Sequence, residues 1–504
     1  MCGIFAILNA KQNIQEEFMK GAHRGPDNTN LVRINDSLIF GFHRLFINGL
    51  TNMSNQPFCL DGVYLICNGE IYNYKSLYDI LDIKPTTNSD CEIILHLYKA
   101  YGIEQTLHMI DASEFAFIIY DSNEQVLYAA RDPYGVRPLF QGIQEDTICF
   151  ASELKMIPSS MQITPILPGT FTNGKIISYC SLPSINYSLT KPSELIFNTL
   201  YECVKKRVEN TERPMACLLS GGLDSSLIAM LVTKCRNELG MKEPLETYSI
   251  GLEGSEDLKY ASIMAKYLNT KHTNILATER DFLNAIPEVI YAIESRDTTT
   301  VRASVGNYLI AKYIKNNSNA KVIFNGDGAD EVCGGYLYMK LAPNCVEFDK
   351  ECRRLVKDIH YFDALRSDRC ISHHGLEART PFLDRAFVEL YLSIPPVLRF
   401  TQCEKELLRK SFFGFLPNEI LWRKKEAFSD GVSSMNNSWY SIIKDHLIST
   451  FQCEYEEAKT NLTIEQYYYK KIYDLHYKVD LLPYYWMPKY TDAKDCSART
   501  LKNY

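Results

Sequence analysis

The sequence predicts two units in series, a strand-dominated α+β half followed by an α/β half built on a parallel sheet, and three observations lead there. The first is length. A chain of 504 residues, 46% of them hydrophobic, exceeds what one core can organise and divides into two or three domains. The second is a series of short β-type runs within the first ~185 residues, at 38–42, 63–67, 115–120, 126–130 and Thr147–Ala151, separated by turn residues. The third is a change of pattern beyond them. A buried apolar strand at 215–219 meets a glycine-rich loop and then a helix running through Leu231, and a second apolar strand at Val322–Phe324 leads into another glycine-rich loop. Strand, loop and helix in alternation imply parallel strands with helices on both faces.

Among the early strands the clearest helical pattern runs from Asp90 to Tyr101, where Ile93, Ile94, Leu97 and Tyr98 share one apolar face. The stretch 179–192 (YCSLPSINYSLTKP) has no periodicity and is rich in Ser and Pro, as a linker is. The boundary is therefore expected between an N-terminal domain of residues 1–185 and a C-terminal domain of residues 186–504. The last third reads as helical and then turns rich in Tyr and Trp.

A net charge of −7 provides no bulk attraction for phosphate backbones or anionic lipid, which argues against nucleic-acid and membrane partners and toward small molecules. Sixteen cysteines are scattered without Cys-x-x-Cys spacing, so neither a disulfide framework nor a zinc site is indicated. The start, MCGIFAILNA, lacks the basic and long apolar regions of a signal peptide, and no stretch reaches the length of a membrane span. The expectation is a soluble protein of the cytoplasm with reduced thiols.

Ser220-Gly221-Gly222-Leu223-Asp224-Ser225-Ser226 lies between an apolar strand and an apolar helix. Its backbone N–H groups and the helix dipole can hold an anion. A Walker loop would carry Gly-Lys-Ser/Thr; here Asp224 is followed by two serines, so a different cleavage chemistry is expected. The SGGxDS string resembles the pyrophosphate loop of the N-type ATP pyrophosphatases, which split ATP between the α and β phosphates. A second loop, Asn325-Gly326-Asp327-Gly328-Ala329-Asp330-Glu331, follows the strand Val322–Phe324 at its carboxyl end, where ligands bind in open α/β sheets. Its three carboxylates in five residues repel one another unless a cation shares the site, and Mg²⁺ bound with ATP phosphates is the natural partner. Downstream, 423–431 (RKKEAFSDG) supplies positive charge that could meet pyrophosphate.

Cys2 follows the initiator methionine. Removal of Met1 would leave a thiol and a free α-amine on one residue, a nucleophile with its own base, and an amine pKa near ~8 suits proton transfer at neutral pH. Other motifs stand beside it: 23–27 (HRGPD), 41–45 (GFHRL), 68–73 (NGEIYN), 89–92 (SDCE) and 131–138 (RDPYGVRP). A site for a free amino acid needs an acid for its ammonium, a base for its carboxylate and an oxyanion hole. Arg44, Asp90, Glu70, and Asn68 with Gly69 can fill those roles.

Taken together, these motifs closely resemble the family of glutamine-hydrolysing asparagine synthetases, its animal-type branch most of all, from MCGIF at the start to the WMPKY and SARTL strings near the end. The strings GVRPLF, CLLSGGLDSS, TTVRASVG and KKEAFSDG carry the likeness to that branch. The resemblance implies an N-terminal nucleophile (Ntn) glutaminase domain of stacked β-sheets joined to an N-type ATP pyrophosphatase synthetase domain, a ligase of amino-acid biosynthesis. It implies Cys2 as nucleophile, glutamine held by Arg44, Leu45, Phe46, Ile47, Asn48, Asn68, Gly69, Glu70 and Asp90, and Asn68 and Gly69 as oxyanion donors. It places Leu218, Ile250, Asn325 and Gly326 around ATP, and Ser220, Gly221, Gly222, Asp224 and Ser225 at pyrophosphate. Asp224 and Asp330 would hold Mg²⁺, Asp327 would act at the β-aspartyl-AMP intermediate and Lys425 would balance the leaving group. Glutamine, aspartate and ATP would be the substrates, ammonia would travel an internal tunnel, and the assembly would be a homodimer.

Three departures stand out. The family's Ser-Gly-Glu-Gly loop reads Asn325-Gly326-Asp327-Gly328, one methylene shorter at its acid. The glycine usually found before Phe-Ala-Phe is replaced within Asp111-Ala112-Ser113-Glu114. The usual Arg-Val-Pro-Phe-Leu-Asp reads Arg379-Thr380-Pro381-Phe382-Leu383-Asp384. Two rivals follow from these motifs: an amide synthetase that uses the same ATP loop on another carboxylate, for which loss of the N-terminal cysteine would be expected, and a degenerate relative that only binds partners.

Overall fold

The computed structural model describes residues 1–501 apart from 112, 435, 436, 480, 482 and 483, so Ala112 in the altered 111–114 segment lies outside the described residues. Residues 3–178 form two six-stranded antiparallel sheets. Gly3–Leu8 lies inside the first, between Thr147–Ala151 and Leu38–Arg44. Val63–Gly69 and Phe115–Asp121 lie inside the second.

The alternation along these strands explains the stacking, because successive side chains point to opposite faces. Ile4, Ala6, Phe40 and Phe42 of the first sheet meet Ile66, Ala116, Ile118 and Ala129 of the second in one buried cluster. The opposite faces are buried too: Leu65, Cys67, Phe115, Phe117 and Ile119 pack under the helix Ile93–Met109. Every residue of Phe115–Asp121 is therefore buried, which is why FAFIIYD reads as a continuous apolar run rather than an alternating one. Truncating Phe117 at its centre would cost about 3–5 kcal/mol.

The helix expected from Asp90 begins at Ile93. Asp90–Glu92 is a 3₁₀ turn capped by the Ser89 side chain, because the Asp90 carboxylate is drawn to the Ile71 N–H and that of Glu92 to Thr86 and Thr87. The stretch 179–192 contains neither helix nor strand.

Beyond it, five parallel strands form one sheet in the order Lys271–Leu276, Glu246–Gly251, Met215–Leu218, Val322–Phe324, Glu377–Arg379. The chain builds outward from Met215–Leu218 in one direction and returns to its other side with Val322–Phe324. This reversal makes a crevice at the carboxyl ends of those two adjacent strands, the ligand position of open α/β sheets. Both glycine-rich loops open into it.

Buried charges join the two halves. Arg24 reaches Glu153 at 2.9 Å and Asp368 at 2.8 Å, and Lys155 and Arg369 both pair with Glu294. Removing one partner of such a pair strands a charge in low dielectric and costs about 3–5 kcal/mol. All sixteen cysteines are free thiols, as expected, and no helix among the described residues is long and apolar enough to cross a membrane.

Candidate active sites

Two sites emerge, one in each half. In the first, Cys2 enters the strand Gly3–Leu8 beside the end of Val63–Gly69, and its backbone N–H donates to Asn68 Oδ1 at 3.0 Å. That bond fixes the Asn68 amide. Its Nδ2, fully buried, finds no partner among the described residues, and a buried donor without a partner is costly unless a ligand oxygen meets it. Gly69 permits the same approach from the backbone: a Cβ there would sit 2.6 Å from Phe115 Cβ and 2.7 Å from the Glu114 carbonyl oxygen. The Cys2 Sγ lies 3.9 Å from the Leu45 carbonyl oxygen, and burial raises the thiol pKa. With Met1 in place, its amine donates to Leu376 O at 3.4 Å and lies 3.7 Å from Glu377.

The other residues assigned to glutamine gather around Cys2 in unequal ways. Asp90 is buried and accepts from Ile71 N at 2.7 Å; burial pushes its carboxyl up to about 6. The Arg44 guanidinium is largely engaged by its own loop, donating to Thr51 O at 2.9 Å, Asn55 Oδ1 at 2.7 Å, Asn48 O at 3.2 Å and the Gly49 carbonyl, with Phe46 stacked 4.3 Å away. It braces the loop bearing Leu45, Phe46, Ile47 and Asn48. The Glu70 carboxylate accepts from Asn48 Nδ2 at 2.9 Å and Asn210 Nδ2 at 3.0 Å and stands 3.2 Å from Arg379. Its side chain therefore faces the synthetase half.

In the second site, the loop after Met215–Leu218 curls on its own hydroxyls. Ser220 N donates to Ser225 Oγ at 3.2 Å, Gly222 N to Ser220 Oγ at 3.3 Å, and the two hydroxyls are 3.0 Å apart. Gly221 has φ +69, and a Cβ would lie 2.3 Å from the Tyr260 backbone, so only glycine fits. The helix Leu223–Glu238 starts there without a side-chain cap, leaving N–H groups for an anion. Leu218, Ile250, Asn325 and Gly326 line the same cavity, and Asn325 Nδ2 is held by Ser367 Oγ at 2.6 Å.

Asp224 and Asp330 converge, as the adjacent strands require. Lys405 Nζ lies 2.7 Å from both Asp224 oxygens and 2.6 Å from Asp330 Oδ1. Lys425 Nζ is 2.5 Å from Asp330 and 3.7 Å from Asp224. Burial pushes the Asp330 carboxyl up, but the two ammonium groups outweigh it and hold the group well below the usual carboxylate range. Two carboxylates that can share one ammonium can share one cation. Mg²⁺ takes one or two carboxylates together with substrate phosphates, so this pair fits it, although no group of three or more His, Cys, Asp or Glu converges to form a metal cage among the described residues.

The three acids of the 325–331 loop diverge. Asp327 Oδ1 accepts from Arg366 at 2.9 Å, whereas its Oδ2 is buried without a partner among the described residues; burial, only partly offset by Arg366, raises this carboxyl to about 6. Glu331 turns away to accept from the Tyr336 hydroxyl. The basic run also divides: Lys425 faces the carboxylates, while Arg423 braces Ser220 O at 3.1 Å and Asp257 at 2.7 Å.

Sequence reasoning missed Lys405 and Arg366. Neither sits in a glycine-rich or strand-end motif, and Lys405 comes from a turn where its backbone is left-handed, φ +53. A lone Glu-Lys pair ahead of a six-residue helix carries no local signal.

The chain matches the family model for asparagine synthase over residues 196–348 and 342–481 and that for the glutamine amidotransferase domain over residues 1–170. It is 40% identical to the glutamine-hydrolysing asparagine synthetases of Cricetulus griseus and Mus musculus and 39% identical to that of Homo sapiens. Each comparison covers 100% of this chain and 99% of the relative.

Proposed function

This chain belongs to the family of glutamine-hydrolysing asparagine synthetases, a two-part ligase architecture of an Ntn glutamine amidotransferase and an ATP-utilising synthetase, and from that premise we propose that it forms asparagine from aspartate, glutamine and ATP. The observation that carries the reading is the pairing of two separately built sites in one chain: a cysteine thiol beside an unpartnered amide donor, and a phosphate-type loop beside two converging aspartates.

At the first site, loss of Met1 turns the Cys2 backbone nitrogen into an α-amine held by Asn68 Oδ1. The amine takes the thiol proton, and the sulfur attacks the glutamine amide carbon. Asn68 Nδ2 and the Gly69 N–H stabilise the oxyanion, the α-ammonium passes its proton to the amide nitrogen as the C–N bond breaks and ammonia leaves, and water hydrolyses the thioester to glutamate, restoring the thiol. Asp90 holds the substrate ammonium; Arg44 positions the loop of Leu45, Phe46, Ile47 and Asn48, and Glu70 ties that loop to the other half.

At the second site Leu218, Ile250, Asn325 and Gly326 hold the nucleotide, and Ser220, Gly221, Gly222 and Ser225 hold pyrophosphate. Asp224 and Asp330 hold Mg²⁺, which neutralises phosphate charge when bound, and Lys405 and Lys425 accompany the leaving pyrophosphate. Asp327, fixed through one oxygen by Arg366, presents the other toward aspartate as its carboxylate is adenylated and then aminated. The domains divide at 185/186, within the stretch that lacks helix and strand. The active assembly is a homodimer in the cytoplasm.

The test is product analysis with glutamine labelled at its amide nitrogen. Label should enter asparagine, and Cys2→Ala should abolish glutamine hydrolysis while leaving synthesis from added ammonium. Label-free asparagine, or loss of both activities in Cys2→Ala, would refute the two-site reading.

A further inference from the structure

Two of the departures noted in the sequence, at 111–114 and at Thr380, lie against each other. Glu114 is fully buried where the two halves meet. Its Oε1 accepts from Thr380 N at 3.0 Å, Thr380 Oγ1 at 3.2 Å and Arg207 Nε at 3.1 Å, and Arg207 Nη2 is also within 3.1 Å. Its Oε2 accepts from the Tyr72 hydroxyl at 2.9 Å and Arg137 Nη2 at 3.2 Å. Each of these neighbours is a donor, so this carboxylate, once introduced, is satisfied on both oxygens. Burial opposes its ionisation, but Arg207 and Arg137 prevail and hold it at about 2, so it stays charged at working pH.

The contacts of this residue run in both directions. On the glutaminase side, the Glu114 carbonyl accepts from Glu70 N at 3.1 Å, directly after the Asn68–Gly69 pair, and Tyr72 follows two residues later. On the synthetase side, Thr380 follows the strand Glu377–Arg379, and the Arg379 carbonyl accepts from Asn325 N at 3.2 Å, the first residue of the loop that carries Asp327 and Asp330. A continuous hydrogen-bonded path thus runs from the oxyanion segment through Glu114 and Thr380 to the nucleotide loop.

We propose that Glu114 is a positioning residue that couples the two sites, with Thr380 as its counterpart, keeping the glutaminase loop in register with the nucleotide loop so that ammonia released at one is used at the other. The proposal rests on the amidotransferase reading above. Glu114→Gln keeps the size but presents an amide NH₂ to a ring of donors, and neither orientation satisfies it.

Three measurements on the full-length protein test this: asparagine formed per glutamate with glutamine as donor, the synthesis rate with ammonium chloride, and the thermal midpoint. Wild type with a ratio near one supports the reading on which the proposal depends, and a wild type that makes no asparagine would overturn that reading rather than the register. In Glu114→Gln the ratio should fall by about threefold or more, in line with coupling between contacting residues, while the ammonium-dependent rate stays within about twofold. Thr380→Val removes only the hydroxyl contact and should shift the ratio the same way by less, and it decides the matter if Glu114→Gln does not fold. An unchanged ratio in the folded variants, or a parallel fall of both rates, overturns the coupling role.

Discussion

Asp327 offers the sharpest test of the synthetase site, because one carboxylate oxygen is held by Arg366 and the other is buried without a partner among the described residues. Replacing it with Asn keeps the volume and leaves Arg366 paired with Asp363, so the stability cost should be that of one imperfect buried hydrogen bond, about 1–3 kcal/mol. The catalytic cost should be larger. A carboxyl held at about 6 is ionised at neutral pH and can accept a proton or hold a cationic group, and losing such a group typically costs ~10²-fold or more, about 2.7 kcal/mol in barrier. Glu at this position adds one methylene, and catalytic geometry is sensitive at about 1 Å; because the family loop carries Glu, Asp327→Glu should retain or improve activity. ATP-to-pyrophosphate conversion with aspartate would be measured for wild type and both variants, with glutamine hydrolysis as a folding control. An Asn variant within about threefold of wild type, ~0.65 kcal/mol, would show that 327 is a spacer and that the catalytic role is wrong.

Lys405→Met removes the ammonium shared by Asp224 and Asp330 and should lower pyrophosphate release by at least about tenfold with glutaminase intact; an unchanged rate would remove Lys405 from the chemistry and leave Lys425 as the ammonium that accompanies pyrophosphate. The Asp90 carboxyl, raised by burial to about 6, is ionised above that pH and neutral below it. If it holds the substrate ammonium, KM for glutamine should rise as pH falls through about 6, by about tenfold per unit once well below, while KM for ammonium should not follow that titration. A flat glutamine KM between pH 6 and 5 would remove Asp90 from binding.

The sequence alone determined the elements whose physics is local. The two glycine-rich loops after apolar strands, at 220–226 and 325–331, were legible as strand-end loops of a parallel sheet, and both line one cavity there. The strands at Thr147–Ala151 and Val322–Phe324 matched their runs residue for residue. The start of the helix at Ile93 rather than Asp90 was less legible, because it depends on what the Asp90 and Glu92 carboxylates find across the fold.

Only the tertiary structure decided which charges meet. Lys405 is 181 residues from Asp224 and Arg366 is 39 from Asp327, separations over which no periodicity carries information. The same holds for the two departures that had no account in the sequence: Glu114 and Thr380 are 266 residues apart and explain each other only when the halves close. A buried charge depends on its partners for its stability and protonation state, and those partners are brought together by packing rather than by chain order.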